Sequence, residues 1–178
     1  MDISLLRLSK IVFLTCALLS VNAHAVTLHG EKLNYQAVYE PSKTAVMKVL
    51  DEMGVDYTVD ADGDLLYTFK DKGWKGYIIF SYTTNQYIQG KSQLWNLQVR
   101  TQFATKVTRY EELVEYANDW NANQKVPKIS MKNRSKMVLS VNYPVQFGFN
   151  PKEFQVNVFN VFNRTAQTIG TEINAMRR

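Results

Sequence analysis

The feature that most constrains this fold is a change of hydrophobic period within residues 94–129. In the first part of this stretch apolar and polar residues alternate, as in a strand with one buried face. The predicted buried face holds Trp95, Leu97, Val99 and Phe103. We therefore expect a long strand here, with Gln98, Arg100 and Gln102 on its outward face.

The second part of the same stretch predicts a helix, because its apolar residues recur at a spacing of about 3.6. These residues are Leu113, Tyr116, Ala117 and Trp120. Thr108, with Glu111 three residues later, forms the capping-box pattern that opens a helix. Pro127 cannot continue the helix and is predicted to start the next strand.

Similar patterns predict the remaining elements of one α+β domain. Further helices are expected to begin at Pro41 and at Asn150, and Asp62-Gly63 favours a hairpin turn. The expected order is α-β-β-β-β-α-β-β-α. Because hairpins join most strands, we expect a mainly antiparallel sheet of about six strands, with three helices packed on one face.

The first 25 residues are predicted to be a secretory signal peptide. Arg7 and Lys10 precede an apolar run over residues 11–21, and Ala23-His24-Ala25 has the small-x-small pattern of a cleavage site. The run is shorter than the about 20 apolar residues that span a bilayer. We therefore expect cleavage after Ala25 and a periplasmic or secreted bacterial protein without stable membrane insertion. Residues 26–40 would form an N-terminal arm, and residues 41–178 the single domain.

The sequence offers no residues for a zinc site after the signal peptide. His29 is the only histidine there, and the single cysteine, Cys16, lies within the signal. Asp60, Asp62 and Asp64 have the spacing of a calcium loop, but Leu65 stands where such loops need glycine. We interpret these aspartates as turn residues and expect no metal or cofactor.

Catalytic patterns are also missing from the sequence. A nucleophilic serine or threonine needs an activating base, usually histidine, and no G-x-S-x-G pattern occurs. The acidic residues on the predicted central helix, at 111, 112, 115 and 119, are expected on its solvent side. The net charge of the chain is +5. The basic residues are scattered along the sequence rather than clustered, which does not favour nucleic acid binding. From the sequence we therefore predict that the protein is not an enzyme.

The uncovered face of the sheet is the predicted partner-binding surface. Its candidate residues are Lys75, Tyr77, Gln98, Arg100 and Gln102, with Thr68 and Ser81 beside them. Arginine and tyrosine are enriched at protein interfaces. The surface is therefore expected to bind a protein partner or a second copy of the chain, although an ordinary solvated sheet face would show the same pattern.

A second hypothesis is binding of a small ligand or a cell-envelope glycan. It depends on the aromatic residues Trp74, Tyr82, Tyr87 and Trp95, around a predicted loop over residues 83–93. A ligand of this kind would raise the melting temperature, because it binds only the native state.

Two segments of the sequence resemble the YbjN family. Asp56-Tyr57, followed by Asp60 to Leu65, is similar to the opening of that family. Asn118-Asp119-Trp120-Asn121, followed by Lys125-Val126-Pro127-Lys128-Ile129, is similar to its most recognisable stretch. The order of elements also matches, and the likeness covers residues 41–173.

The resemblance implies a bacterial sensory-transduction regulator with a fold like that of type III secretion chaperones, which are dimeric protein-binding modules. It carries over no catalytic residues. Many members of the family are cytoplasmic, whereas this sequence carries a predicted export signal. Contact with cytoplasmic regulators or DNA is therefore not expected. Within the motif, Trp120 is expected to anchor its helix to the sheet, and Asn118 and Asn121 to tie the helix end to the next strand.

Overall fold

The computed structural model describes residues 32–69, 72–84, 92–105 and 110–176, which form six strands and three helices in the predicted order. The first half comprises α1 (Lys43–Glu52), β1 (Tyr57–Val59), β2 (Leu65–Thr68), β3 (Lys75–Thr84) and β4 (Ser92–Ala104). The second half comprises α2 (Tyr110–Asn123), β5 (Lys128–Asn133), β6 (Lys136–Pro144) and α3, in three contiguous segments (Pro151–Glu153, Phe154–Phe159 and Asn160–Ala175). The predicted signal peptide and the predicted cap at Thr108 lie outside the described residues.

All neighbouring strands are antiparallel, in the order β1-β2-β3-β4-β6-β5. One row of paired residues, Leu65, Ile78, Val99 and Val141, crosses four strands on the buried face. The alternate residues of these strands point to the opposite face. The predicted antiparallel sheet is confirmed.

The three helices bury their apolar sides against this one face of the sheet. Val49 of α1, Leu113 of α2 and Phe162 of α3 are fully buried and belong to the same core cluster as the strand residues. The predicted α+β architecture, with one face of the sheet covered, is confirmed. It leaves the other face of the sheet without a helix among the described residues.

The ends of two helices follow from local side-chain chemistry. Ser42, rather than Pro41, caps α1, because its hydroxyl oxygen accepts a hydrogen bond from the Ala45 amide at 3.2 Å. Asn150 caps α3 as predicted, with its Oδ1 accepting from the Glu153 amide at 2.9 Å. Pro41 therefore precedes the first helix instead of opening it.

The C-terminal helix contains a π-helical segment, Phe154–Phe159. Phe154, Val158, Phe162 and Ala166 are all buried at a constant spacing of four residues. A regular helix has about 3.6 residues per turn, so residues four apart drift around its axis. The wider π turns reduce this drift and keep the apolar residues facing the sheet.

The described part of the N-terminal arm packs against the domain. The Leu33 amide donates to Glu52 Oε1 at 3.1 Å, and Leu33 itself is buried. Tyr39 forms an antiparallel bridge with Phe149. In the part of the chain that the structure describes, no helix combines the length and the hydropathy needed to span a bilayer.

Candidate protein-binding face

The five predicted site residues lie at outward positions of the central strands β3 and β4. Tyr77 pairs directly with Arg100, and Gln98 and Gln102 flank Arg100 on β4. Lys75, two residues before Tyr77, is exposed, whereas the other four are half-buried. The structure therefore brings all five side chains to one face, which we call the open face.

Arg100 occupies the centre of the open face. Its cross-strand neighbours are Tyr77 on β3 and Ser140 on β6. The buried Nε of its guanidinium has no hydrogen-bond partner among the described residues. A buried donor without a partner costs about 1–3 kcal/mol, and such groups in native proteins are usually satisfied. The open face thus presents an arginine whose Nε has no acceptor in the described part of the chain.

Gln98 is already engaged within the sheet. Its Nε2 donates to Asn142 Oδ1 at 3.1 Å, and Asn96 Nδ2 approaches the same oxygen at 3.5 Å. The amide of Gln98 is therefore held in place next to Arg100, and its carbonyl oxygen remains as a possible acceptor.

The open face is basic because the strands carry charges of one sign. None of the six described strands contains Asp or Glu. Their basic residues are Lys75, Arg100, Lys128, Lys132 and Lys136. The Lys128 ammonium is used locally, since it donates to the carbonyl oxygens of Asn121 and Gln124 at the end of α2.

The prediction that Trp95 belongs to the buried face was wrong. The β3–β4 pairing shifts register between Ser81 and Tyr82, so that Ser81 pairs with Asn96 but Tyr82 pairs with Leu94. Trp95 is the extra residue of this β-bulge and is 42% exposed. The bulge removes the indole from the core side of the sheet.

Exposed aromatic residues gather at this end of the sheet. Besides Trp95, Tyr82 is exposed, and so is Phe147 in the segment after β6. The Val145 amide donates to the Trp95 carbonyl at 2.9 Å and holds this segment beside the bulge. Sequence reasoning missed Phe147, although an isolated phenylalanine between Gln146 and Gly148 is a possible signal.

The structure does not bring Trp74 to these aromatic residues. Its indole is half-buried at the other end of β3 and meets the Phe103 ring edge-on, with centroids 5.6 Å apart. Tyr87 lies outside the described residues. The predicted aromatic ligand site is therefore not assembled from Trp74.

The aspartates of the β1–β2 turn have structural hydrogen bonds. Asp60 Oδ1 accepts from the amides of Asp62 and Asp64, and Asp64 Oδ1 accepts from the Phe80 amide at 3.0 Å. Burial raises the pKa of Asp64. No group of three or more potential metal ligands comes together in the described ranges.

Two of the roles predicted for the N-x-W-N segment are confirmed. Trp120 Nε1 donates to the Pro127 carbonyl at 2.9 Å. The Asn121 side chain makes two bonds to Ile129: Nδ2 donates to its carbonyl at 2.7 Å, and Oδ1 accepts from its amide at 2.9 Å. The side-chain amide of Asn121 thus supplies the two hydrogen bonds that a neighbouring strand would otherwise give to Ile129 of β5. Asn118 is exposed instead, on the outer side of α2.

Substituting Asn121 with alanine is expected to lower the free energy of unfolding by about 2 kcal/mol, because both polar backbone groups of Ile129 lose their partner. Urea unfolding measures this difference. Asn118→Ala, three residues earlier on the same helix, is the control and should change stability by less than about 0.5 kcal/mol. Equal losses for the two variants would contradict the role assigned to Asn121.

The comparisons with known proteins give one family and one fold. The family model YbjN, described as "Putative bacterial sensory transduction regulator", matches residues 42–173. The chain is also similar to the crystal structure of YbjN from E. coli, described as "a putative transcription regulator", with a TM-score of 0.59 and 15% identity. That match covers 78% of this chain and 96% of the other. No curated protein sequence matches significantly. The family match spans most of the chain, and the chain therefore belongs to the YbjN family.

Proposed function

We propose that this protein is an exported, non-enzymatic regulatory module that binds an acidic segment of a partner protein through the open face. The observation that carries the proposal is Arg100, at the centre of the sheet, whose buried Nε has no hydrogen-bond acceptor among the described residues. A carboxylate is the group that matches its planar donors best.

The surroundings of Arg100 favour the same kind of partner. Tyr77 lies directly beside it, and Lys75 adds a second positive charge on the neighbouring strand. Arginine and tyrosine are frequent anchors of protein interfaces, and basic surfaces steer acidic partners towards them. Since the strands carry no acidic residue, an acidic ligand meets no repulsion from them.

The same charges disfavour a dimer that is formed by two open faces. A two-fold symmetric contact would place Arg100 and Lys75 of both copies in one interface. Like charges brought together in this way cost free energy unless other groups neutralise them. We therefore propose a foreign protein partner rather than a second copy.

Export is proposed from the apolar run at residues 11–21 and the cleavage pattern that ends at Ala25. The partner would then be met in the periplasm or outside the cell. The family description names regulators, and a regulatory role in this compartment would act through protein contacts rather than on DNA.

Site-specific photocrosslinking at Tyr77 tests the proposal in intact bacterial cells. We expect an adduct with another exported protein, and the crosslinked segment of that protein should be rich in Asp and Glu. In binding assays with that partner, Arg100→Glu should weaken affinity about 30-fold, because an attraction becomes a repulsion. Added salt should weaken wild-type binding as well.

The matched control is Arg164→Glu, which reverses the charge of an exposed arginine on α3. This change should leave the crosslink and the affinity unaltered. A Tyr77 adduct with a second copy of the chain or with nucleic acid would contradict the proposed partner. Equal effects of the two charge reversals would contradict the site.

A further inference from the structure

A cavity of about 550 Å³ lies on the helix side of the sheet, separate from the open face. It is bordered by the end of α1 and the segment that follows it, by the end of β2 and the turn that follows it, and by the middle of α3. Its lining residues are Met53, Gly54, Val55, Asp56, Tyr67, Thr68, Phe69, Gly73, Phe159, Asn160, Asn163 and Gln167. Its volume is within the roughly 300–1,000 Å³ typical of sites for small ligands.

One wall of the cavity is a row of amide side chains on α3. Asn160, Asn163 and Gln167 are three and four residues apart, a spacing that places them on one face of the helix. Within the described residues, the structure shows no hydrogen bond for the side chains of Asn160 and Gln167. Each amide offers both a donor and an acceptor to the cavity.

Tyr67 orients the central amide of this row. Its hydroxyl donates to Asn163 Oδ1 at 2.8 Å, and burial raises the pKa of Tyr67, so the phenol keeps its proton. With Oδ1 engaged in this bond, the Asn163 NH₂ group remains as a donor. The hydrogen bond from Tyr67 thus makes Asn163 a donor in the middle of the amide row.

The rest of the cavity is largely apolar. Met53 and Val55 line one side, and Phe69 and Phe159 line the floor next to Tyr67. The Tyr67 and Phe159 rings are packed with their centroids 5.1 Å apart. A ligand that fits this cavity needs one edge with hydrogen-bonding groups and one apolar face.

The charge of the lining restricts the ligand further. Asp56 is its only charged residue within the described part of the chain. Among the described residues that line the cavity, a phosphate or carboxylate group would meet no cation and would be repelled by Asp56. Hydroxyl groups match the amides, because a hydroxyl both donates and accepts.

The π-helical segment of α3 ends at this cavity. Phe159 is its last residue and Asn160 is the next, and both line the site. Segments of π-helix occur often at functional sites. Here the segment delivers an apolar floor residue and a polar wall residue that are consecutive in the chain.

From these features we propose that the cavity binds a neutral saccharide unit, with its hydroxyl groups on the amide wall and its C–H face on the apolar floor. The site is on the side of the sheet opposite to Arg100, so it does not depend on the proposed function. The family description does not name such a site.

The test is an NMR titration of the folded chain with cellobiose, maltose and N,N′-diacetylchitobiose, alongside glucose 6-phosphate and glucuronate. At least one neutral sugar should shift amide signals of residues that line the cavity, and the two anionic sugars should not. Asn160→Leu and Gln167→Leu should each raise the Kd for that sugar about tenfold, because each removes hydrogen bonds to the ligand.

Asn174→Leu, on an exposed position of the same helix, is the matched control and should leave the Kd unchanged. Well-dispersed spectra of the variants establish that each is folded. Three outcomes overturn the proposal. The first is the absence of shifts with any neutral sugar at about 50 mM. The others are equal binding of the anionic sugars and a Kd that neither substitution in the cavity changes.

Discussion

Replacing Phe154 with alanine is expected to lower the free energy of unfolding by about 4 kcal/mol, which is typical for truncating a fully buried phenylalanine. Phe154 is 0% exposed and packs among three other rings. Its centroid lies 5.5 Å from that of Phe149, and 6.1 Å from those of Tyr143 and Phe159. Alanine would leave a cavity that these large side chains cannot fill without moving the chain.

The effect should be specific to the inward side of the π-helical segment. Val156, two residues later, is 45% exposed and provides the control, since Val156→Ala removes side-chain atoms from the same segment without opening a cavity. Urea unfolding should show a loss below about 0.5 kcal/mol for this control. A small loss for Phe154→Ala would mean that the helix repacks, and that the π turns are not needed to position this ring.

Residue patterns were sufficient to predict the layered architecture. Leu97, Val99 and Phe103 alternate with the polar residues Gln98, Arg100 and Gln102, and a strand with that pattern has one buried and one solvated face. Apolar residues at helical spacing, such as Leu113 and Ala117, fit only one side of a helix. These local periods determine which side of each strand and helix is buried. They therefore also determine that the helices cover one face of the sheet.

The irregular features could not be predicted, because they depend on pairing with distant residues. Trp95 continues the apolar alternation of β4 in the sequence, yet the register shift opposite Ser81 places it outside the core. The cavity depends on Tyr67, which reaches a residue of α3 that lies 96 positions later in the chain. Asn160 and Asn163 appear in the sequence as ordinary polar positions of an amphipathic helix.

The candidate site was predictable in its position but not in its electrostatic character. Alternation alone places Arg100 and Tyr77 on the outward side of their strands. Arg100 Nε lacks an acceptor among the described residues because Tyr77 and Ser140 pair beside it, and this pairing is a property of the fold. A carboxylate at either neighbouring position would neutralise Arg100 and remove the reason for an acidic partner.

Substituting Gly76 with alanine is expected to destabilise the protein by about 3 kcal/mol, the upper part of the usual range for overpacking a core. Gly76 pairs with Tyr67 across the β2–β3 ladder, and the tyrosine ring lies over the glycine. A Cβ at position 76 would lie under 3.0 Å from Cζ, Cε1 and Oη of that ring. The ring cannot move aside easily, because it packs on Phe159 and its hydroxyl is bonded to Asn163.

A double-mutant cycle distinguishes this clash from a general intolerance of alanine in β3. Tyr67→Leu removes the ring atoms that the new methyl group would meet, so Gly76→Ala should cost less than about 1 kcal/mol in that background. Tyr67→Phe removes the hydroxyl group but keeps Cζ, Cε1 and the packing on Phe159, so most of the cost should remain. If Gly76→Ala destabilises the Tyr67→Leu variant as much as the wild type, the penalty arises from the strand backbone and not from a clash with the Tyr67 ring.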